Sequence, residues 1–483
     1  MSMRGPIVAA AVVLIVLVLG SPFAIGMITE NGLRQQMDIY AGNPAVAASV
    51  ESYERGWFGS SVRLEFGFSD QYLSQLSAID PSIAMIAPML EELSLPIIVE
   101  ISHGPILTED VFGVGGATVR AHVDPESPIV GFAEDVLGLP YLFEFRGRSG
   151  FGTGFRFEGE IPAAANAYPD MSYEFSGLEF SGVTQDGDMD LQMMLDELSL
   201  QSPFFSAVLE SFAMTMDYDY REDRLPLSDS ELRIGRIVAS NPLAGAAIVF
   251  SLDGLGLTAR ATENDAATHV TAEIVYSLDD LVIPNVVSLS DTALGLVIGP
   301  VETEAVQAFA EMAAELPLDA SEAEQLQIML PVLDRFLASN PTIALDPLRF
   351  SMPEGSVDGR ASVTIDSSAL PPGGIEAIAA MPDPTALMGA ISCELDLTAS
   401  KPLVEMFARL AMIRSMAGLP GPDGGPMPPD QLAALADQEL AGLLLQLTVQ
   451  NILVDTGGSY TTSIRFADGA ATANGEPLPL LGF

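Results

Sequence analysis

Much of the chain alternates apolar and polar residues with period two, the pattern of strands that bury one face. Val62, Leu64, Phe66 and Phe68 alternate with Arg63, Glu65 and Gly67. Phe212, Met214, Met216, Tyr218 and Tyr220 alternate with Thr215, Asp217 and Asp219, and Val270, Ala272, Ile274, Tyr276 and Leu278 repeat the pattern. Met189, Leu191, Met193 and Leu195 do so after an Asp186-Gly187 turn. The C-terminus reads as a meander. A strand is predicted over 445–454, a turn at Gly457-Gly458, a strand over 460–466, a turn at Asp468-Gly469, and a short strand ending at Asn474-Gly475. Asp-Gly and Asn-Gly supply the positive φ angles of tight hairpin turns.

Helical spacing interrupts the alternation. Residues 302–316 carry apolar side chains at helical intervals, and Ser321-Glu322-Ala323-Glu324 opens a second helix as a capping box, with Pro331 inside it. Residues 402–416 start with Pro near the first helical position, and 431–443 form a further helix. The Gly- and Pro-rich stretch 418–429 between them is a loop. Short early helices are predicted over 30–38 and 71–76. The fold class is α+β: mainly antiparallel β-sheet with several helices covering it, preceded by one N-terminal transmembrane helix.

That anchor is the run of 25 uncharged residues between Arg4 and Glu30. About 20 helical residues cross a hydrocarbon core. Arg4 on the short side predicts a cytoplasmic N-terminus and a translocated bulk. A cleaved signal peptide, with Val18-Leu19-Gly20 before Ser21 as the cleavage site, is the competing reading. The domain plan is a tip and anchor over 1–29 and an ectodomain over 30–483, divided into two lobes that meet near 240.

Composition narrows the function. The 65 acidic and 20 basic residues give a net charge of −45, with a single Lys, Lys401. Phosphate-directed nucleic-acid binding needs clustered cations and is excluded. The charge fits a salty habitat, where screening relieves self-repulsion; a cationic partner is the alternative. One Cys, Cys393, excludes a disulfide framework and thiolate zinc sites.

The chemistry-bearing candidates are weak one by one. His103, in Ser102-His103-Gly104-Pro105, reads as a turn residue whose ring bonds backbone, against a role as base or ligand. Asp186, Asp188, Asp190 and Glu197 have EF-hand spacing, but Leu191 stands where that loop needs Gly, so a strand is the better reading. Gly147–Gly152 lacks a Walker lysine and reads as a turn between strands. Cys393 alternates with Ile391, Leu395 and Leu397 as a buried apolar residue. No catalytic, metal or cofactor residue is assigned. The least generic feature is the Met content of 21. Met193, Met214, Met216 and Phe212 are candidates for an apolar-ligand surface, with a plain core as the alternative.

Three segments carry a family resemblance. They are Tyr53-Glu54-Arg55-Gly56-Trp57-Phe58-Gly59-Ser60-Ser61, the Ser102–Pro105 motif, and the final hairpin from Ser459 to Gly475. Together with the N-terminal helix and the length, the chain resembles the YdgA-like family of bacterial envelope proteins, a domain of unknown function. The resemblance implies a Gram-negative inner-membrane anchor, a periplasmic ectodomain, and no established activity. Arg55, Gly56, Trp57, Phe58, His103, Gly104 and Pro105 then stand as a structural motif, with packing favoured over an interfacial role for the aromatic pair. The expected function is a non-enzymatic, membrane-anchored scaffold or binding module. The alternative is a periplasmic lipid or apolar-ligand carrier using a Met- and Phe-rich sheet groove. The expected partners are the membrane through the N-terminal helix, and a lipid or another envelope protein; no cofactor is implied.

Overall fold

A computed structural model describes residues 46–478, except 57, 70–71, 75–76, 78–93, 104–105, 108–112, 115, 151–153, 169, 220–224, 226, 246, 316–321, 371–376, 378–387 and 417–426. The N-terminal anchor expected over 5–29 and the helix over 30–38 lie outside the described residues. So do Trp57, Gly104, Pro105 and residues 71, 75 and 76 of the helix expected over 71–76, whose described residues 72–74 are helical. The chain divides into two compact units. One is Met1–Tyr220 with Ser240–Ala247; the other is Arg221–Ala239 with Ile248–Phe483. The described residues are mainly antiparallel sheet with a few helices.

In the first unit the strands of the large sheet are β1 (Val46–Arg55), β2 (Gly59–Phe68), β3 (Leu95–His103), β4 (Ala117–Val123), β5 (Glu144–Ser149) and β6 (Phe155–Ile161). They continue with β7 (Ala164–Tyr168), β8 (Met171–Phe175), β9 (Leu178–Gln185), β10 (Asp188–Gln201) and β11 (Ser206–Asp219). The ladder runs β1–β2–β3–β4–β5–β6–β9–β10–β11, every pair antiparallel. The β7–β8 hairpin returns onto the far end of β10. Helix α1 (Pro128–Leu137) fills the β4–β5 connection. Sequence reading misses it, although Pro128 at its start and left-handed Gly138 at its end are helix punctuation. Asn166 Nδ2 donates to Val136 O at 2.9 Å, satisfying one of the orphan carbonyls at its C-terminus.

The second unit contains β12 (Leu227–Asn241), β13 (Ala247–Glu263), β14 (His269–Ile283) and β15 (Val287–Glu302). Helices α2 (Thr303–Glu315) and α3 (Glu322–Ala338) follow, then β16 (Thr342–Met352), β17 (Gly355–Ile365) and β18 (Ile391–Ser400). Next come α4 (Lys401–Met416) and α5 (Pro429–Val449), then β19 (Ser459–Ala467), β20 (Ala470–Ala473) and β21 (Glu476–Leu478). From β13 to β21 each strand pairs antiparallel with the next. Both helical hairpins occupy positions that a plain meander would give to turns. The strand expected over 445–454 is a correction: α5 runs on to Val449, and only Val454–Asp455 pairs with β19. The run Leu443-Leu444-Leu445 has no period that separates helix from strand, and Leu is a good helix former.

Core packing sits at particular ends of the sheets. In the first unit Val62, Leu64, Val99, Ile101 and Ala117 form a closed cluster on β2, β3 and β4. In the second, Leu403 of α4 is fully buried with Val357 and Ala399. Near the other end of that sheet Val270, Val301, Ala305 and Val332 are buried where α2 and α3 meet β14 and β15.

Candidate functional site: the apolar faces of the two sheets

Residues directly opposite one another in an antiparallel ladder share a face, so the strand registers define rows of side chains. In the second unit one row is Leu257, Tyr276, Leu294, Leu348, Gly359, Leu397 and Thr462. The next is Ala259, Ile274, Leu296, Leu345, Ala361, Leu395, Ile464 and Ala473. The third is Ala261, Ala272, Ile298, Ile343, Val363, Cys393, Phe466 and Ala471. No position in these rows is charged, in a chain of net charge −45. The band crosses eight strands, about 34 Å at ~4.8 Å per strand spacing.

This band is not a closed core. Of its residues only Ala473 is buried, while Tyr276 is 50 % exposed, Ile343 44 %, Leu294 39 % and Val363 39 %. Helices close the same face at its two ends. At one end Val270 and Val301, in line with Ala272 and Ile298, are buried where α2 and α3 meet β14 and β15; at the other α4 covers Val357 and Ala399, in line with Gly359 and Leu397. The opposite face carries the charge: Arg360 pairs with Asp396 at 2.9 Å and Arg349 with Asp291 at 3.3 Å.

The first unit repeats the arrangement. One row runs Tyr53, Val62, Val99, Ala121, Phe145, Gly159, Phe180, Met193 and Met214. Its neighbour runs Ser60, Ile101, Val119, Gly147, Phe157, Gly182, Leu191 and Met216. Phe212 faces Leu195 one row further. The four candidate residues Met193, Met214, Met216 and Phe212 therefore lie on one face of β10 and β11, all half-buried. The face is closed at β2–β4 and half-open from β5 outward. Glycines let its aromatic rings lie flat: a Cβ on Gly159 would sit 2.1 Å from the Phe180 ring, and one on Gly147 2.1 Å from Phe155. Phe145, Phe155, Phe157 and Phe180 stack there with centroids 5.8–6.4 Å apart.

The Arg55–Phe58 and His103 segments come together at one end of that sheet. Arg55 is opposite Ser60, Gly56 N donates to Gly59 O at 2.8 Å, and His103 N donates to Phe58 O at 2.7 Å. The His103 ring bonds the Ser60 hydroxyl at 2.7 Å, where a backbone partner was the expectation. Its Nδ1 has no partner among the described residues, and burial holds its pKa below the ordinary imidazole value. The packing expected for Phe58 is not what the structure has: that side chain is 56 % exposed. Cys393, expected to be buried, is half-buried. Ser60 and the Leu294–Leu345–Val363 face escaped the sequence reading. Their signal, uncharged residues alternating in successive strands, becomes a surface only once the registers are known.

The polar faces offer less. A hollow of about 440 Å³ on the first unit is lined by Glu144, Arg146, Glu158, Glu160, Glu179 and Gln192. Its groups already serve one another: Arg146 and Arg120 pair with Glu144, and Tyr141 donates to Glu160, which raises the phenol pKa to about 12. No grouping of three metal-binding side chains occurs among the described residues, the Asp186–Glu197 spacing included. Asp186 and Gly187 instead make the β9–β10 turn, both at positive φ.

No curated protein and no solved structure matches the chain. A family model described as a bacterial protein of unknown function, DUF945, matches residues 4–481. The chain belongs to that family of bacterial proteins.

Proposed function

We propose that the chain is a non-enzymatic, membrane-anchored protein of the bacterial envelope whose sheets hold lipid acyl chains on their apolar faces. The observation that carries this reading is the uncharged, half-exposed band across β13–β20, closed by helices at both ends and open between them. Each 100 Å² of such surface that a ligand covers contributes about 2.5 kcal/mol. The occupant must bring no unmet polar groups. The ladder's own backbone is paired strand to strand, and the band offers hydroxyls only at its margin, at Tyr276 and Thr462. An extended peptide laid on it would strand its N–H and C=O groups, whereas hydrocarbon has none. The Phe and Met face of the first unit has the same character, and Met adapts to irregular chains.

The anchor over 5–29, the single-pass topology with a cytoplasmic N-terminus, and the periplasmic placement rest on the uncharged N-terminal run and the YdgA-like resemblance. The test is to express residues 30–483 in the periplasm of a Gram-negative host and purify them without detergent. Native mass spectrometry with organic extraction then asks what copurifies. Stoichiometric phospholipid is expected. A clean apo mass, with no lipid taken up from vesicles, would return the protein to a scaffold acting through protein contacts.

A further inference from the structure

Helix α5 has an outer surface that the fold does not use. Asp430–Val449 is the one described helix long and apolar enough to cross a membrane, and 11 % of that stretch is buried. A core helix of such composition would be mostly buried, and a signal sequence would lie at the other end of the chain. Neither accounts for α5. Its inner side packs on α4 through Ala436 and Leu440, with Arg409 of α4 paired to Asp437 at 2.8 Å. Its outer side leaves Leu445 66 % and Val449 77 % exposed.

Charge and connectivity together name the occupant. No charged residue occurs between Glu439 and Asp455, so this is a place where an acidic protein can approach a zwitterionic lipid surface without burying a charge of its own. The helix cannot cross that surface. Strand β18 runs directly into α4 at Lys401, and the chain after α5 returns at Val454–Asp455 to pair with β19, which itself lies beside β18. Both feet of the hairpin stand on one sheet, so the helix can only lie along an interface. The foot of α4 also covers one end of the open apolar band, through Leu403 on Val357 and Ala399. We infer that the C-terminal half of α5, with Leu445 and Val449 outermost, seats in the headgroup–acyl boundary of a lipid bilayer. This goes beyond acyl-chain binding by the sheets and stands without it.

The test uses the full chain, residues 1–483, reconstituted in phosphatidylcholine vesicles. In a Cys393→Ser background, Leu445→Cys or Val449→Cys carries an environment-sensitive fluorophore; Thr398→Cys, exposed on the charged face of the sheet, is the reference. The exposure of 445 and 449 makes these changes tolerable to the fold. Expected is a blue shift at 445 and 449, with loss of most emission to lipid-borne nitroxide and little to aqueous iodide, and the reverse at 398. Emission at 445 and 449 quenched by iodide as at 398 would overturn the inference. So would protection from both quenchers, which would mean a protein partner or a second copy on this face.

Discussion

Ser60 and His103, 43 residues apart in sequence, share a hydrogen bond of 2.7 Å between Oγ and Nε2, and both are buried. In the ladder they stand opposite Ile101 and Ala117. A buried donor or acceptor left unmade costs about 1–3 kcal/mol. Ser60→Ala should therefore lower stability by about that much, read as a shift in urea midpoint at unchanged slope. A variant as stable as the parent would mean the pair does not hold this end of the sheet.

Burial also sets a pH dependence. The His103 pKa is lowered in the folded protein, while the unfolded imidazole titrates near roughly 6.5. Above that value both states are neutral and the ring adds no pH dependence. As pH falls through it, the unfolded chain takes up a proton that the folded ring resists, so stability drops until pH passes the folded pKa. Asp124 acts in a lower window: the Glu126 backbone N–H and the Arg63 guanidinium hold its pKa below the ordinary value of 3.8. That stability is present above 3.8 and is lost only as pH falls through the folded pKa. Melting temperature should fall between pH 7.5 and 5.5, and His103→Gln should flatten that interval while leaving the acid limb below pH 4. An unchanged slope in the variant would assign the effect elsewhere.

Gly159 and Phe180 face each other across β6 and β9 with no room for a side chain: a Cβ would lie 2.1 Å from the ring. Gly159→Val should displace the stacked Phe group and destabilise the first unit by about 1–3 kcal/mol. Near-ultraviolet circular dichroism should lose aromatic signal. Retention of both signal and stability would mean the rings are free to move aside.

Two leucines of the second unit should behave in opposite ways. Leu403 is fully buried, and Leu403→Ala should cost about 2–5 kcal/mol. Leu345 is 36 % exposed in the open band, so Leu345→Glu should leave the melting temperature nearly unchanged and sharply reduce copurified lipid. Unfolding by Leu345→Glu would make the band a core and count against the functional reading.

The net charge of −45 predicts a salt response. At about 1 M salt the Debye length is ~3 Å, which screens self-repulsion over the surface. The protein should melt higher in molar salt than in dilute buffer. A melting temperature indifferent to salt would remove habitat as the meaning of the acidity.

Strands were legible wherever alternation was clean: Val62–Phe68, Phe212–Tyr218 and Val270–Leu278 all fall inside β-strands. The helices α2, α3 and α4 were legible from capping and spacing. The Leu-rich end of α5 was not, because an apolar run carries no period. The site was legible only in part. Met193, Met214, Met216 and Phe212 were visible as one alternating face, since β10 and β11 are joined by a short connection. The row that joins Ile274, Leu296, Leu345 and Leu395 was not, because helices α2 and α3 separate Leu296 from Leu345, and strand β17 with residues 366–390 separates Leu345 from Leu395. In addition, the β16 register slips between Leu345 and Leu348, a shift that alternation alone cannot place.

The most direct test of acyl-chain binding is photo-crosslinking of the full chain in vesicles containing a phospholipid with a diazirine near the end of one acyl chain, followed by peptide mapping. Adducts are predicted on the open band, at Leu294, Leu296, Ile343, Leu345 and Val363. Adducts confined to the N-terminal run and α5, with none on the band, would contradict it.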